Sequence, residues 1–219
     1  MYRLVCFLML VSGALGEVIL QGTCNYADIG GYVTYLNPTR MLGTWNQIAR
    51  LDNDGEMGEC SKLNLSGIYD ATGSLMAFQA TWTHVLNKNK TSYDGIITPL
   101  GINGVFYMNF TGAILADFVV QSTNYTDYAV LYACVTLNPG NATQNATKAV
   151  AAWQYHRKAE LSSSERAAVQ ELANVNPDLR NITWKHVSHD RTACGHGVTL
   201  AVPHIVLVLA TVFISKEFV

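Results

Sequence analysis

The side chains of this 219-residue chain that could do chemistry are its five cysteines, six histidines and glycosylation acceptors. Cys6 lies in the first apolar run. Cys24, Cys60, Cys134 and Cys194 remain, an even number, and no two are close enough in sequence for a Cys-X-X-Cys zinc or redox motif. In an oxidising compartment their default chemistry is two disulfides, and four cysteines allow three pairings. His84, His156, His186, His189, His196 and His204 show no metal-ligand spacing on a helix. His186 and His189 stand three apart beside Asp190 and read as a solvated loop. Local motifs suggest no Ser-His-Asp arrangement. The expectation is a non-enzymatic protein with no catalytic residues, no metal and no cofactor. Asn-X-Ser/Thr sequons begin at Asn64, Asn89, Asn109, Asn124, Asn141, Asn145 and Asn181, whereas Asn37 is followed by Pro38 and does not qualify. They are spread over the whole chain and fit a glycosylated ectodomain whose low charge is offset by sugar.

The ends of the chain agree with that compartment. Residues 1–16 read as a signal peptide, with Arg3, an apolar run from Leu4 to Val11, and small residues Ala14 and Gly16 at the cleavage site. Residues 196–219 form an apolar tail. Between them, residues 17–195 are long enough for one domain with a real core. Charged residues make up only 14% of the chain and the formal net charge is −2, with no basic block, which excludes a phosphate-tracking nucleic-acid surface. Eleven Tyr, seven Phe and four Trp exclude a disordered chain.

Short β-rich runs occupy 43–51, 60–69, 74–86, 90–100, 105–110, 114–122, 128–137 and 149–157. The segments between them carry turn chemistry: Asp-Asn-Asp-Gly (52–55), Asp-Ala-Thr-Gly (70–73), Asn-Lys-Asn (87–89), Gly-Ile-Asn-Gly (101–104) and Asn-Pro-Gly-Asn (138–141). No helices intervene, which argues for an antiparallel barrel or sandwich. One helix follows. Ser162 and Glu165 form a capping box, Ala168, Leu172 and Val175 recur at helical spacing, and Pro177 ends the helix. A short strand around 182–187 comes last.

Alternation then assigns the faces. If cysteines bound to terminal segments and sugar-bearing Asn residues point outward, Leu63, Leu65, Leu131, Ala133 and Val135 point inward. So do Met76, Phe78, Ala80 and Trp82 of the third run, Phe106, Met108 and Phe110 of the fifth, and Phe118 of the sixth. An eight-stranded barrel lined this way is either filled by side chains or holds one small ligand, and composition leaves both open.

Three blocks in order carry a resemblance. Leu42-Gly43-Thr44-Trp45 follows Asn37-Pro-Thr-Arg-Met41. Thr123-Asn-Tyr-Thr-Asp-Tyr-Ala129 precedes Cys134, and Trp153-Gln-Tyr-His-Arg157 precedes the helix. Together they resemble the lipocalins, in particular the apolipoprotein D and Lazarillo-type subgroup, over Cys24 to Cys194. Gly58-Glu-Cys60 and Tyr93-Asp-Gly-Ile-Ile-Thr-Pro99 add to the likeness. The chain departs from the pattern at Asn124, where an Asp is usual, and at Thr39, where an Asn is common.

The resemblance implies an eight-stranded antiparallel up-and-down β-barrel with one C-terminal α-helix packed outside. It also implies Arg157 stacked over Trp45 beside Gly43, and disulfides Cys24–Cys134 and Cys60–Cys194. Its implied function is extracellular binding, transport or sequestration of a lipid, fatty acid, retinoid, sterol or bilin, in lipid metabolism, oxidative-stress response or at the neural cell surface. The expected pocket is Trp153 with Phe78, Trp82, Phe106, Met108, Phe118, Leu131 and Ala133. The alternative is a cell-surface recognition glycoprotein whose barrel is a scaffold for contacts with a receptor. In the tail, small residues Ala193, Gly195 and Gly197, a spacer to His204 and the run Ile205 to Ile214 resemble a glycolipid-anchor signal. The expected attachment residue is Gly195, since a cut before Cys194 would orphan Cys60. Such an anchor would hold the protein on the outer face of the plasma membrane. A membrane span is the competing reading, although Val198 to Ile214 is short for one and contains Pro203 and His204.

Overall fold

A computed structural model describes residues 18–26, 32–51, 58–101, 104–111, 114–140 and 145–195. The expected signal peptide, the apolar tail, the 52–55 turn and the Asn141 sequon lie outside the described residues. The strands are β1 (Val18–Gln21), β2 (Gly43–Leu51), β3 (Glu59–Tyr69), β4 (Leu75–Leu86) and β5 (Asn89–Pro99). β6 (Val105–Phe110), β7 (Ile114–Thr123), β8 (Tyr128–Asn138) and β9 (Thr147–His156) follow, then helix α1 (Ser163–Asn174) and β10 (Trp184–His186).

Each strand from β2 to β9 pairs antiparallel with the next, and β9 pairs back onto β2, so eight strands close into a barrel. Closure removes the unpaired edges that an open sheet would present. The β3–β4, β5–β6 and β7–β8 hairpins lie at one end, the base, where β2 begins. The β4–β5, β6–β7 and β8–β9 connections lie at the other end, the mouth. β1 adds to the outer side of β9, with Val18 opposite Val150, and β10 adds to the mouth half of β2, with Trp184 opposite Leu51.

Alternation divides the apolar residues between two cores. One fills the barrel and includes Trp45, Leu63, Phe78, Trp82, Phe106, Phe118, Leu131 and Trp153. The other lies between the outer wall and α1, and includes Ile48, Val119, Val130, Tyr132, Val150 and Val169. Polar side chains dock the helix over this second core. Gln121 on β7 donates through Nε2 to the Leu172 and Ala173 carbonyls (3.0 and 3.1 Å) at the end of α1, where the helix itself offers no donors. Tyr132 donates its hydroxyl to Asp178 (2.6 Å), and Lys148 pairs with the same carboxylate. Burial, then that hydrogen bond, pushes the Tyr132 hydroxyl well above its usual range, so it stays a donor.

Four expectations need correction. The buried face of α1 is Val169 and Ala173 with Leu172 beside them; Ala168 and Val175 are exposed. The Gln121 clamp and the Val169 contact rotate the helix by about one residue from the face its apolar spacing suggests. Met76 is exposed because the β3–β4 register passes from Ile68–Ala77 to Tyr69–Leu75. It becomes the unpaired residue of a bulge, and Leu75 packs inward in its place. Val135 is exposed too, at the mouth end of β8 beyond the last packed layer. His189 is not in a solvated loop: it is half-buried, and its Nε2 lies 2.9 Å from the Gln47 carbonyl.

The capping box is present, with Ser162 Oγ accepting from the Glu165 amide and Glu165 Oε2 accepting from the Ser162 amide. Ser162→Ala should destabilise the protein by about 1 kcal/mol, read from the denaturant midpoint. The hydrogen bond from Lys158, then those from Ser162, hold the Glu165 carboxyl down to about 2 from an ordinary 4.5. A depressed folded-state value means the stabilisation is complete above about 4.5 and is lost as pH falls from there through about 2. A carboxyl titration of Glu165 by NMR with its midpoint near 4.5 would contradict this.

Candidate functional site

The barrel base is closed by a cation over an aromatic ring. Arg157, just past β9, sets its guanidinium carbon 3.5 Å from the centroid of the Trp45 ring. Its nitrogens are used on four carbonyls: Nη1 donates to Thr44 (2.9 Å), Nη2 to Leu42 (2.9 Å) and Arg40 (3.3 Å), and Nε to Tyr125 (3.3 Å). Trp45 Nε1 donates to the Met41 carbonyl at 2.7 Å, fixing the ring under the segment that crosses the base. Gly43 allows the entry turn: its φ is +95°, and a Cβ there would meet Arg157 Nη1 at 3.4 Å. The β7–β8 turn completes the seal, with the Tyr125 hydroxyl accepting from the Asn37 amide at 3.0 Å and Arg40 stacked 4.3 Å over its ring.

Above this base the interior is apolar and crowded. Phe78, Phe106 and Phe118 make a ladder of rings with centroids 6.0 and 5.6 Å apart. Nearer the mouth, Trp82 stacks on Tyr93 at 5.3 Å and meets Phe110 edge-on at 6.4 Å, spacings ordinary for aromatic pairs. Trp82 satisfies its Nε1 on Ser61 Oγ at 2.8 Å. Two adjoining spaces remain between the side chains. The base-side space, about 30 Å³, is lined by Met41, Trp45, Leu65, Phe78, Phe106, Val120 and Ala129, among others. The mouth-side space, also about 30 Å³, is lined by Trp82, Met108, Phe110 and Trp153. Leu63, Ile97, Phe118, Leu131 and Tyr155 border both.

The sequence-derived pocket maps onto these spaces as follows. Phe78 and Phe106 line the lower one, Trp82, Met108 and Trp153 the upper, and Phe118 and Leu131 stand between. Ala133 is buried in the same core opposite Phe118 but borders neither space. Leu36, Met41 and Ile97 were not anticipated. Leu36 and Met41 belong to the segment that folds across the base, and Ile97 is an inward residue of β5 opposite Phe78. Three polar residues were also missed: Gln47, Arg50 and His84 are buried near the mouth.

Both disulfides form with the pairing that the resemblance implies, Cys24–Cys134 and Cys60–Cys194. The first ties the N-terminal segment to β8, the second ties the C-terminal segment to β3. Cys60, His189 and Cys194 converge within 4.8 Å, but both sulfurs are consumed by the disulfide, so no thiolate is left for a metal. Of the sequons, Asn64, Asn89, Asn109, Asn145 and Asn181 are exposed; Asn124 is half-buried and donates through Nδ2 to Asp127 at 2.9 Å.

No family model and no curated protein matches the chain. Solved structures do. Insecticyanin from the tobacco hornworm Manduca sexta superimposes with a TM-score of 0.63 at 19% identity, over 82% of this chain and 93% of that one. Lobster apocrustacyanin A1 gives 0.55 at 17%, over 71% and 81%. Per a 4, a major allergen of cockroaches, gives 0.53 at 18%, over 78% and 97%. At such identities the likeness establishes the fold, which is the lipocalin barrel.

Replacing Arg157 with Ala removes the stacking and leaves four carbonyls short of a donor; the expected loss is about 2–4 kcal/mol in urea unfolding. Arg157→Lys keeps the charge without the planar fork and should recover less than half of it. Equal stability of Arg157→Ala and the parent would show that the base is closed by packing alone.

Proposed function

We propose that this chain is an extracellular lipocalin, of the apolipoprotein D and Lazarillo kind, that takes one small hydrophobic molecule into its barrel and carries or sequesters it. The observation that carries this reading is the interior itself. It is lined almost wholly by aromatic and aliphatic side chains, sealed at the base by Arg157 and Trp45, and retains two adjoining spaces. An apolar cavity with few polar groups suits a fatty acid, retinoid, sterol or bilin. The crowding of Phe78, Phe106, Phe118, Trp82 and Trp153 favours a slender ligand, or one whose entry turns an aromatic ring aside. The two disulfides and the exposed sequon asparagines support an oxidising, extracellular setting.

Trp82 and Trp153 border the upper space and report on its occupancy. Titration with retinol, oleic acid and biliverdin should quench their fluorescence saturably for at least one of the three, and Trp153→Ala should weaken that ligand at least tenfold, the loss of one large buried contact. Absence of binding across the panel by both fluorescence and native mass spectrometry would refute the carrier reading and leave the barrel as a scaffold for surface recognition.

The C-terminal segment supports a glycolipid anchor attached at Gly195. Cys194 is held against the mouth by its disulfide to Cys60, and the exposed Gly195 follows it directly. Attachment there would leave the disulfide intact and place the barrel mouth toward the membrane. Phosphatidylinositol-specific phospholipase C should release the protein from cells expressing the full chain. Retention after treatment would identify the tail as a span.

A further inference from the structure

Two buried nitrogens that lack a hydrogen-bond partner, Arg50 Nε and His84 Nδ1, meet at one place in the barrel mouth. Arg50 donates through Nη2 to the Gly58 carbonyl at 3.0 Å, and a Cβ on Gly58 would lie 2.8 Å from His84 Cδ2. Gly58, with φ at +115°, is therefore the point where the backbone, the guanidinium and the imidazole come together. Arg50 is 1% exposed and His84 8% exposed.

Both side chains lie on the inner face of the barrel. Arg50 stands directly opposite Trp153 in the β2–β9 register, as Gln47 does opposite Tyr155, and directly opposed residues share a face. Trp153 and Tyr155 lie inside the barrel. His84 is two residues beyond Trp82 on β4, and its ring lies 4.9 Å from Trp82 and 5.8 Å from Tyr93. Trp82 and Trp153 line the mouth-side space, and the guanidinium and the imidazole lie beyond these two rings on the same inner face, outside the lining of the space itself.

Among the described residues no carboxylate pairs with this charge. Arginine stays ionised in proteins, and burying its charge without a counter-ion is costly. The hydrogen-bond partners of Arg50 are neutral: the Gly58 carbonyl and Gln47 Oε1 at 3.0 Å. The ion pairs among the described residues are Lys148–Asp178 and Lys158–Glu165, and neither reaches it. The nearby Glu59 carboxylate accepts from the Ser188 amide. Burial, then the charge of Arg50, pushes the His84 imidazole below its ordinary value, so near neutral pH it is an uncharged partner and adds no second cation. One buried positive charge with an idle N–H, next to the rings that line an apolar space, is complementary to a single anionic head on an apolar tail.

On the footing of the carrier reading above, we propose that the ligand is an apolar chain ending in a carboxylate, with the carboxylate bound by Arg50 beside His84 and the chain running down toward Phe106 and Phe118. A carboxylate would take the idle Nε and supply the missing counter-charge. It would also orient the ligand head-up, so that the apolar tail enters first and the acid end leaves first.

The test compares three molecules with one tail, oleic acid, oleyl alcohol and oleylamine, on the purified glycoprotein by tryptophan quenching. Oleate should bind at least tenfold more tightly than the alcohol, and the amine more weakly than both. Arg50→Gln should abolish the preference for oleate while leaving the alcohol within about threefold, and Arg50→Lys should restore part of it. Binding of the alcohol by the variant reports that its barrel is intact; should Arg50→Gln fail to fold, the preference of the unaltered protein decides alone. Equal binding of oleate and alcohol overturns the carboxylate assignment and leaves the carrier reading standing. A preference that survives Arg50→Gln overturns the role of Arg50. Failure of every probe to bind overturns the carrier reading, and this inference with it.

Discussion

The stack of Arg157 on Trp45 is the contact on which the rest of the barrel depends. A closed antiparallel barrel has two open ends, and a cavity with one entrance exists only if one end is sealed. Here the seal joins four stretches distant in sequence: the segment carrying Arg40 and Leu42, the start of β2, the β7–β8 turn at Tyr125, and the end of β9. The guanidinium can do this because it is planar, offers donors in several directions and also stacks on an indole. Shielding by Trp45 strengthens each of those bonds relative to water. The disulfides work on a different scale. They close loops with sequence separations of 110 and 134 residues, and in the chain-entropy picture each removes the equivalent of about 4–5 kcal/mol of disorder from the unfolded state.

Base and mouth are built on opposite principles. At the base, polar groups are satisfied by one another: Trp45 on Met41, Arg157 on carbonyls, Asn46 Nδ2 on the Arg157 carbonyl at 2.8 Å. At the mouth, Arg50 and His84 are buried with a nitrogen each unused. A stable protein tolerates such a site where function exploits it, because an unmet buried donor costs more than a met one contributes. The aromatic ladder between the two ends suits both states. Phe78, Phe106 and Phe118 keep the empty barrel from collapsing, and flat rings can yield to a slender chain.

Much of this was legible in the residues. Strands such as 105–110 alternate cleanly, with Phe106, Met108 and Phe110 against Asn109, because one face meets the core and the other meets water. The turns were equally plain. Helix phase was not, since α1 has apolar residues on two sides and Ala is indifferent to burial. Only the partner surface, with Gln121 reaching the last carbonyls, selects Val169 and Ala173. β1 was missed because Val18–Gln21 is a short strand directly after the apolar N-terminal run, and its strand character comes from pairing with β9.

Arg50 was hidden for a more instructive reason. Strict alternation from Trp45 inward gives Gln47 inward and Ala49 inward, and turns Arg50 out to solvent, where an arginine is expected. The β2–β9 register shifts between Gln47 and Ala49. Ile48 packs in the outer core, and Ala49 stands opposite Gln154, whose amide reaches Gln170 on the helix, so two successive residues take the outer face. A bulge adds one residue to one strand and reverses the parity of everything after it. Arg50 is carried inside, opposite Trp153, by that single irregularity. The burial of Arg50 at the mouth is thus a consequence of backbone geometry, which no residue-type pattern along β2 would have disclosed.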